Sequence, residues 1–268
     1  MSRAAPLVSG RVLITGATGG IGQAISRAFA ARGASLVLSG RRADLLEALA
    51  RELRAEAVVA DLADAADLER LVSAAGAPDV VVANAALPAS GLLTEFSQAQ
   101  IDTMLDVNLR APIALARAFA PRMAARRGGH LVFISSLSGK VTAPSSSVYS
   151  ATKFGLRGFA LGLREDLRSD GVGVSLVLPG FISDAGMFAE SGAKLPPGVG
   201  TRTPQQVAAA VVRAVERDRA EVTVAPFTLR IGADIASVAP GLGAAFQRLA
   251  GGAKVARTVS AGQREKRP

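Results

Sequence analysis

The sequence predicts an α/β fold: one doubly wound domain of about seven parallel strands, flanked by helices on both faces. Three observations predict it. Short aliphatic runs alternate with alanine-rich segments of helical period up to about residue 225, the rhythm of repeated strand-helix units. Most of those runs are continuously apolar rather than alternating, as strands covered on both faces must be. At 268 residues the chain sits near the upper end of what one core supports. Right-handed crossovers between such strands make the sheet Rossmann-like, with ligands at the carboxyl ends of the strands.

The expected strands are RVLIT (11–15), SLVLS (35–39), AEAVVA (55–60), DVVVA (79–83), HLVFIS (130–135), VGVSLVL (172–178) and EVTVA (221–225). Gly33, Gly76 and Gly171 follow helical segments, where a left-handed turn ends a helix. Apolar residues make up 49 % and aromatics only 4 %, so aliphatic and alanine packing must build the core. There is no cysteine, which excludes disulfides and thiolate metal sites. The N-terminus has no apolar signal region and no segment is long enough to span a membrane, so a soluble, cytoplasmic protein is expected. The single domain is placed at 1–253, followed by a basic, flexible tail over 254–268.

The net charge of +9 does not point to nucleic acid. Five cations, Lys254, Arg257, Arg264, Lys266 and Arg267, against Glu265 put +4 of it in the last eighteen residues. The rest is scattered over helical faces without aromatic interleaving, the pattern of a solvated surface.

The first strand runs through Thr15 into Gly16, Ala17, Thr18, Gly19, Gly20, Ile21 and Gly22, then into an amphipathic helix. Glycines let backbone approach a pyrophosphate, and the helix N-terminus offers it free N–H groups. Alone, such a loop is equally a tight strand-to-helix turn. The second strand is followed by Gly40, Arg41 and Arg42, where an acid would select NAD and arginine accommodates a 2′-phosphate. The cofactor expected is NADP(H), with NAD(H) as the alternative.

Tyr149, the only tyrosine, and Lys153 form an i, i+4 pair, so on a helix they share a face. An ammonium beside a phenol favours phenolate and lowers its pKa from about 10. By itself the pair is more often a tyrosine stacked on a lysine stem. Ser136, however, lies thirteen residues earlier, directly after a strand, and Asn108 sits in a preceding helical segment.

Taken together, the glycine loop, Asn108, Ser136 and Tyr149-x-x-x-Lys153 resemble the short one-domain branch of the short-chain dehydrogenase/reductase family, from about residue 10 to 225. The resemblance implies that Tyr149 is the general acid/base. It makes Lys153 the group that lowers the tyrosine pKa and holds the nicotinamide ribose, and Ser136 the substrate-oxygen ligand. Asn108 would organise a water relaying protons to Lys153. It further implies cofactor contacts from Gly16, Thr18, Gly19, Gly20, Ile21, Gly22, Arg41, Arg42, Asp61, Leu62, Asn84, Pro179, Gly180 and Ile182. Departures are visible. The family's N-N-A-G is Ala83-Asn84-Ala85-Ala86, and the threonine expected four residues after Gly180 is Asp184, with Ser183 adjacent.

The segment 182–204, rich in Gly and Pro and carrying Met187, Phe188 and Leu195, is long for a simple connection and reads as a lid over the substrate. Its apolar residues suit a lipophilic substrate or anchor the lid to the core. An apolar extension follows over 226–253, read as two short helices separated by Pro240 and Gly241 that pack at the pocket or a subunit contact, or touch a membrane surface. His130 has no ligand-type neighbour in sequence, so no metal is expected. The function expected is an NADP(H)-dependent oxidoreductase interconverting a small-molecule carbonyl and alcohol, assembled as a homodimer or homotetramer. An idle NADP(H)-binding regulator, or an isomerase or dehydratase on the same fold, are the alternatives.

Overall fold

The computed structural model describes residues 7–189, 191–193, 195, 199–239, 241 and 252–263. Seven strands form one parallel sheet: β1 (Arg11–Thr15), β2 (Ser35–Gly40), β3 (Glu56–Val59), β4 (Val80–Ala83), β5 (His130–Ile134), β6 (Gly173–Pro179) and β7 (Glu221–Val224), in the order β3-β2-β1-β4-β5-β6-β7. Val12 is in register with Leu36 of β2 on one side and Val80 of β4 on the other. The winding reverses between β1 and β4, which opens a crevice at their carboxyl ends.

Successive strand residues face opposite sides, and the two sides carry separate cores. On one face Val12, Ile14, Leu36 and Val80 pack under Ile25 and Phe29 of α1 (Gly20–Ala30), Leu46 of α2 (Ala43–Leu53) and Val211 of α8 (Pro204–Glu216). On the other, Leu13, Val37, Val81 and Phe133 meet Leu71 of α3 (Ala65–Ala75), Phe119 of α5 (Ala111–Ala125) and Leu156 of α6 (Ser147–Leu167). Full coverage explains the unbroken apolar runs. β3 is the exception, an edge strand with Glu56 held by the two terminal guanidinium nitrogens of Arg11 at 2.8 Å. Gly33, Gly76 and Gly171 all have positive φ. The end of α2 carried no such mark, because Arg54 takes the left-handed cap there at φ 53°.

Between α4 (Gln98–Leu105) and α5 the chain widens into a π turn over Asp106–Arg110, where the Ala111 N–H reaches back to the Asp106 carbonyl. The segment 182–204, expected to act as a lid, is tied at its base by a bridge between Ile182 and Arg202 and, among its described residues, holds one short helix, α7 (Gly186–Ala189). A capping box of Thr203 and Gln206 then starts α8.

After β7, helix α9 (Phe227–Val238) is fastened by charge. Lys140, 9 % exposed, places Nζ 2.7 Å from Glu221 Oε1 and 2.9 Å from Asp234 Oδ1, and Arg157 Nε reaches Glu221 Oε2 at 2.6 Å. Phe227, Ile231, Ile235 and Val238 remain exposed along the outer face of α9. Pro240 and 242–251, where the second helix of the extension was expected, lie outside the described residues.

The tail expected from residue 254 is corrected over its first part: a helix, α10, runs Gly252–Gly262, and Ser260 and Gln263 are buried. A Cβ on Gly262 would run into the backbone of Ser191. The helix therefore seats on the lid through small residues, which give no periodic apolar signal.

Candidate active site

A cavity of about 860 Å³ follows the carboxyl edge of the sheet from β3 and β2, past β1 and β4, to β5 and β6. It is lined by Gly16, Thr18, Gly19, Gly20, Ile21, Gly22, Arg41, Arg42, Asp61, Leu62, Asn84, Ser136, Tyr149, Lys153, Pro179, Gly180 and Ile182. Of the candidates from sequence, only Asn108 lies behind the wall, fully buried.

The glycine loop is built by steric necessity at its ends. Gly16 has φ +64° and a Cβ there would sit 2.7 Å from the Ala85 Cα, while a Cβ on Gly22 would strike the Gly16 carbonyl. A Cβ on Gly20 would strike Ala185 of the lid. Thr15 and Asn84 hold the loop against β4. The Asn84 and Ala85 N–H groups donate to Thr15 Oγ1 at 3.1 and 3.2 Å. Asn84 Nδ2 donates to the Thr15 and Gly16 carbonyls at 3.0 and 3.1 Å. Asn84 thus acts on the loop backbone. Gly19 precedes the N-terminus of α1, where free N–H groups and the helix dipole favour an anion.

At the other flank Arg42 donates from Nη2 to the Thr18 carbonyl at 2.7 Å. Arg41 is more than half exposed, 3.7 Å from Asp61 Oδ2. Asp61 also accepts the Ala63 N–H at 3.0 Å. A loop that can cradle a pyrophosphate, next to two guanidinium groups, suits the donor set a phosphorylated dinucleotide needs.

Ser136 follows β5, and its Oγ accepts the Ser138 N–H at 3.1 Å. Tyr149 and Lys153 project from the first turns of α6. Tyr149 packs against the apolar cluster of Ala89, Phe96, Met104 and Val148, and its hydroxyl hydrogen-bonds Ser136. Lys153, 1 % exposed, donates to the Ile134 carbonyl at 3.1 Å and lies 5.7 Å from the Tyr149 ring centroid. Ser135 Oγ donates to the Lys153 carbonyl, fixing α6 to the end of β5.

The electrostatics correct one expectation. Burial pushes the Tyr149 phenol up to about 12, and the Ser136 hydrogen bond only partly offsets it. The same desolvation pushes the Lys153 ammonium down to about 8. The net effect is a tyrosine held protonated, because loss of water around the anion outweighs the nearby cation.

Asn108 sits in the π turn, and its amide is used at both ends: Oδ1 accepts the Leu87 N–H at 2.7 Å and Nδ2 donates to the Leu87 carbonyl at 3.0 Å. Ser183 Oγ donates to Asp184 Oδ2 at 2.9 Å, and Asp184 is left-handed at φ 64° and exposed. The apolar extension does supply Leu229 of α9 to this cavity, whereas sequence reasoning missed the wall formed by Ala256 and Val259 of α10 and by Gln263 just beyond it. The ring of Phe188 lies 4.9 Å from that of Phe181, tilted by 55°. The side chain of Met187 lies outside the described residues. His130 is far from this edge, at the start of β5, and no cluster of metal ligands occurs among the described residues.

A glycine loop at the switch point of a doubly wound parallel sheet, with a tyrosine, lysine and serine converging beside it, defines a nicotinamide-dependent dehydrogenase/reductase. The sequence pattern of the family described as short chain dehydrogenase matches residues 10–196, and the chain belongs to that family. It is 35 % identical over 222 residues to the ketoacyl reductase HetN of Nostoc sp., covering 80 % of this chain and 77 % of that protein. Among solved structures it is similar to a short-chain dehydrogenase from Sphingobium yanoikuyae in complex with NADPH, with TM-score 0.76, 28 % identity, and 87 % and 94 % of the two chains covered. A metagenomic short-chain oxidoreductase in complex with NADP aligns with TM-score 0.67 and 33 % identity, over 81 % and 96 % of the chains. Among the described residues no helix is long and apolar enough to cross a membrane.

Proposed function

We propose that the protein is an NADP(H)-dependent reductase of carbonyl compounds with apolar bodies, using Tyr149 as proton donor. The observation that carries this reading is the convergence of Tyr149, Ser136 and Lys153 on one cavity that continues to Arg41 and Arg42. The bound cofactor would supply the hydride, and the protein need then supply position and a proton.

Ser136 and Tyr149 together would hold the substrate oxygen, and Tyr149 would give it a proton as negative charge develops. Lys153, still charged at neutral pH, would stabilise the resulting phenolate and hold the nicotinamide ribose. With its amide committed to Leu87, Asn108 is proposed to set the π turn, so that a water relaying protons to Lys153 would sit on the backbone there. The reductive direction is proposed from the expected cofactor, NADPH being a hydride donor. The NADPH and NADP complexes of related structures support the choice of phosphorylated cofactor. The first experiment is an NADPH-oxidation screen over aldehydes and ketones of graded chain length. An absence of turnover across the screen would leave the idle binder as the better reading.

The two arginines should separate in their effects. Arg41→Ala is expected to weaken NADPH binding about tenfold while sparing NADH, because it removes only an exposed cation from the phosphate region. Arg42→Ala should weaken both cofactors, since its guanidinium also holds the Thr18 carbonyl of the glycine loop. Fluorescence titration with each cofactor checks this, and tighter binding of NADH by the wild type would refute the preference.

The assembly proposed is a homodimer or homotetramer. The exposed stripe of α9, with Phe227 and Val238 at 72 % and 87 %, is a face that a second copy would cover. Light scattering on the purified protein tests it. A monomer that binds anionic vesicles would instead favour peripheral contact with a membrane.

A further inference from the structure

Helix α9 supplies part of the substrate-side wall, and its apolar grip on the fold is narrow. Ala233 is its one buried residue. Together with Leu229 it packs on Leu137, Val141 and Ala225. The Leu229 side chain rests over Gly180, where a Cβ would lie 3.4 Å from Leu229 Cδ2. Leu137, Val141, Gly180 and Leu229 all line the cavity, so a shift of α9 moves a wall of the pocket.

Charge opposes that shift. Lys140 Nζ stands between Glu221 and Asp234 and also donates to Thr223 Oγ1 at 3.3 Å. Lys140 follows Ser136 by four residues, and its N–H closes the turn there onto the Leu137 carbonyl at 2.9 Å. Glu221 and Thr223 belong to β7, and Arg157, which shares Glu221, sits one turn beyond Lys153 on α6. Lys140, Glu221 and Arg157 are therefore anchored on the sheet and on the segments that carry Ser136, Tyr149 and Lys153. Asp234 is the member on α9, and among the described residues it makes the one ion pair of that helix. A buried ammonium must keep a paired carboxylate, and Glu221 meets that need at 2.7 Å. The carboxylate of Asp234, 49 % exposed, is thus the end of the network that can be released without stranding a charge.

We propose that Lys140 and Asp234 form a latch that positions α9 and, through Leu229, sets how bulky a substrate body the pocket accepts. Both are positioning residues, since neither lines the cavity. This rests on the reductase reading proposed above and places a determinant of its substrate range in an ion pair outside the pocket.

The test is Asp234→Asn, which keeps the shape of the side chain without its charge. Wild type and variant are compared on methyl ketones running from short straight chains to branched and cyclohexyl-bearing bodies. In D234N the ratio of kcat/KM for the bulkiest ketone to that for the shortest should rise about tenfold, the scale of a methylene contact in an apolar pocket. The change should fall in KM, with kcat nearly unchanged. Asp234→Glu, which retains the carboxylate, should bring the ratio back toward that of the wild type. A tie that only stabilises the fold would lower Tm and slow every ketone in parallel. That outcome, or a ratio that stays the same or falls, would overturn the inference while leaving the reductase reading intact.

Should no ketone be turned over, that reading fails instead, and the latch is judged by amide hydrogen exchange in the full-length protein. In D234N exchange over α9 should quicken about tenfold, with β7 and α6 as in the wild type. Equal exchange in the two proteins, or quickening spread evenly over the fold, would overturn the proposal. If D234N does not fold, Asp234→Ala, a substitution that favours the helix, takes its place in both measurements with the same outcomes.

Discussion

Tyr149→Phe is expected to lower turnover by about 10²- to 10⁴-fold and to leave NADPH affinity nearly intact. The magnitude is that of a positioned general acid, and no second phenol exists in the chain to replace it. Phenylalanine keeps the ring contacts with Val148, Met104 and Phe96, so the loss should fall on the proton and not on the fold. Single-turnover NADPH oxidation measures the first quantity and fluorescence titration the second. Turnover within a few-fold of the wild type would refute the assignment of Tyr149. The wild-type rate should also fall as pH rises through about 8, where Lys153 gives up its proton, well before Tyr149 itself ionises near about 12.

Acid should destabilise the protein through a residue remote from the site. His130, 1 % exposed, lies 2.8 Å by Nε2 from Ser175 Oγ, and that hydroxyl gives its proton to the Arg219 carbonyl at 2.6 Å. The imidazole must then be the donor at Nε2, which assigns the neutral tautomer with Nδ1 bare. Burial pushes its pKa from 6.5 down to about 4; Asp218 opposes the shift and Arg164 assists it. As pH falls below about 6.5 the unfolded chain takes up a proton that the native state refuses until about 4. Stability is therefore lost across that window and levels off below it.

The full effect is up to about 3 kcal/mol, or about 6–12 °C in Tm for a domain of this size. Thermal unfolding between pH 7.5 and 4 measures it, and His130→Gln should flatten the slope. An equally steep slope in the variant would assign the acid sensitivity elsewhere.

Much of this molecule was legible because its signals are local. All seven strands fall within a residue or two of their expected places, and for the central strands the reason is that burial on both faces leaves an unbroken aliphatic run with polar or glycine ends. Ser136, Tyr149 and Lys153 were legible for a similar reason: one follows a strand and two share a helical face.

What escaped notice depends on contacts far apart in the chain. The π turn adds one residue to a helix without disturbing its composition, so the orientation of Asn108 could not be read. Helix α10 meets the lid through Gly262 and Ser191, residue types that carry no hydrophobic pattern, and so it read as a tail. The pKa of Tyr149 depends on desolvation, which no sequence interval reports, whereas the spacing to Lys153 suggested the opposite sign.

The contact of Gly20 with Ala185 joins the phosphate loop to the lid at two positions without a side chain to spare. In chimeras of this protein the two segments are therefore expected to need exchange together. A lid grafted from a relative with a larger residue at 185 would displace the glycine loop unless that loop is exchanged with it. Swapping substrate preference among such enzymes by lid exchange would thus alter cofactor affinity as well.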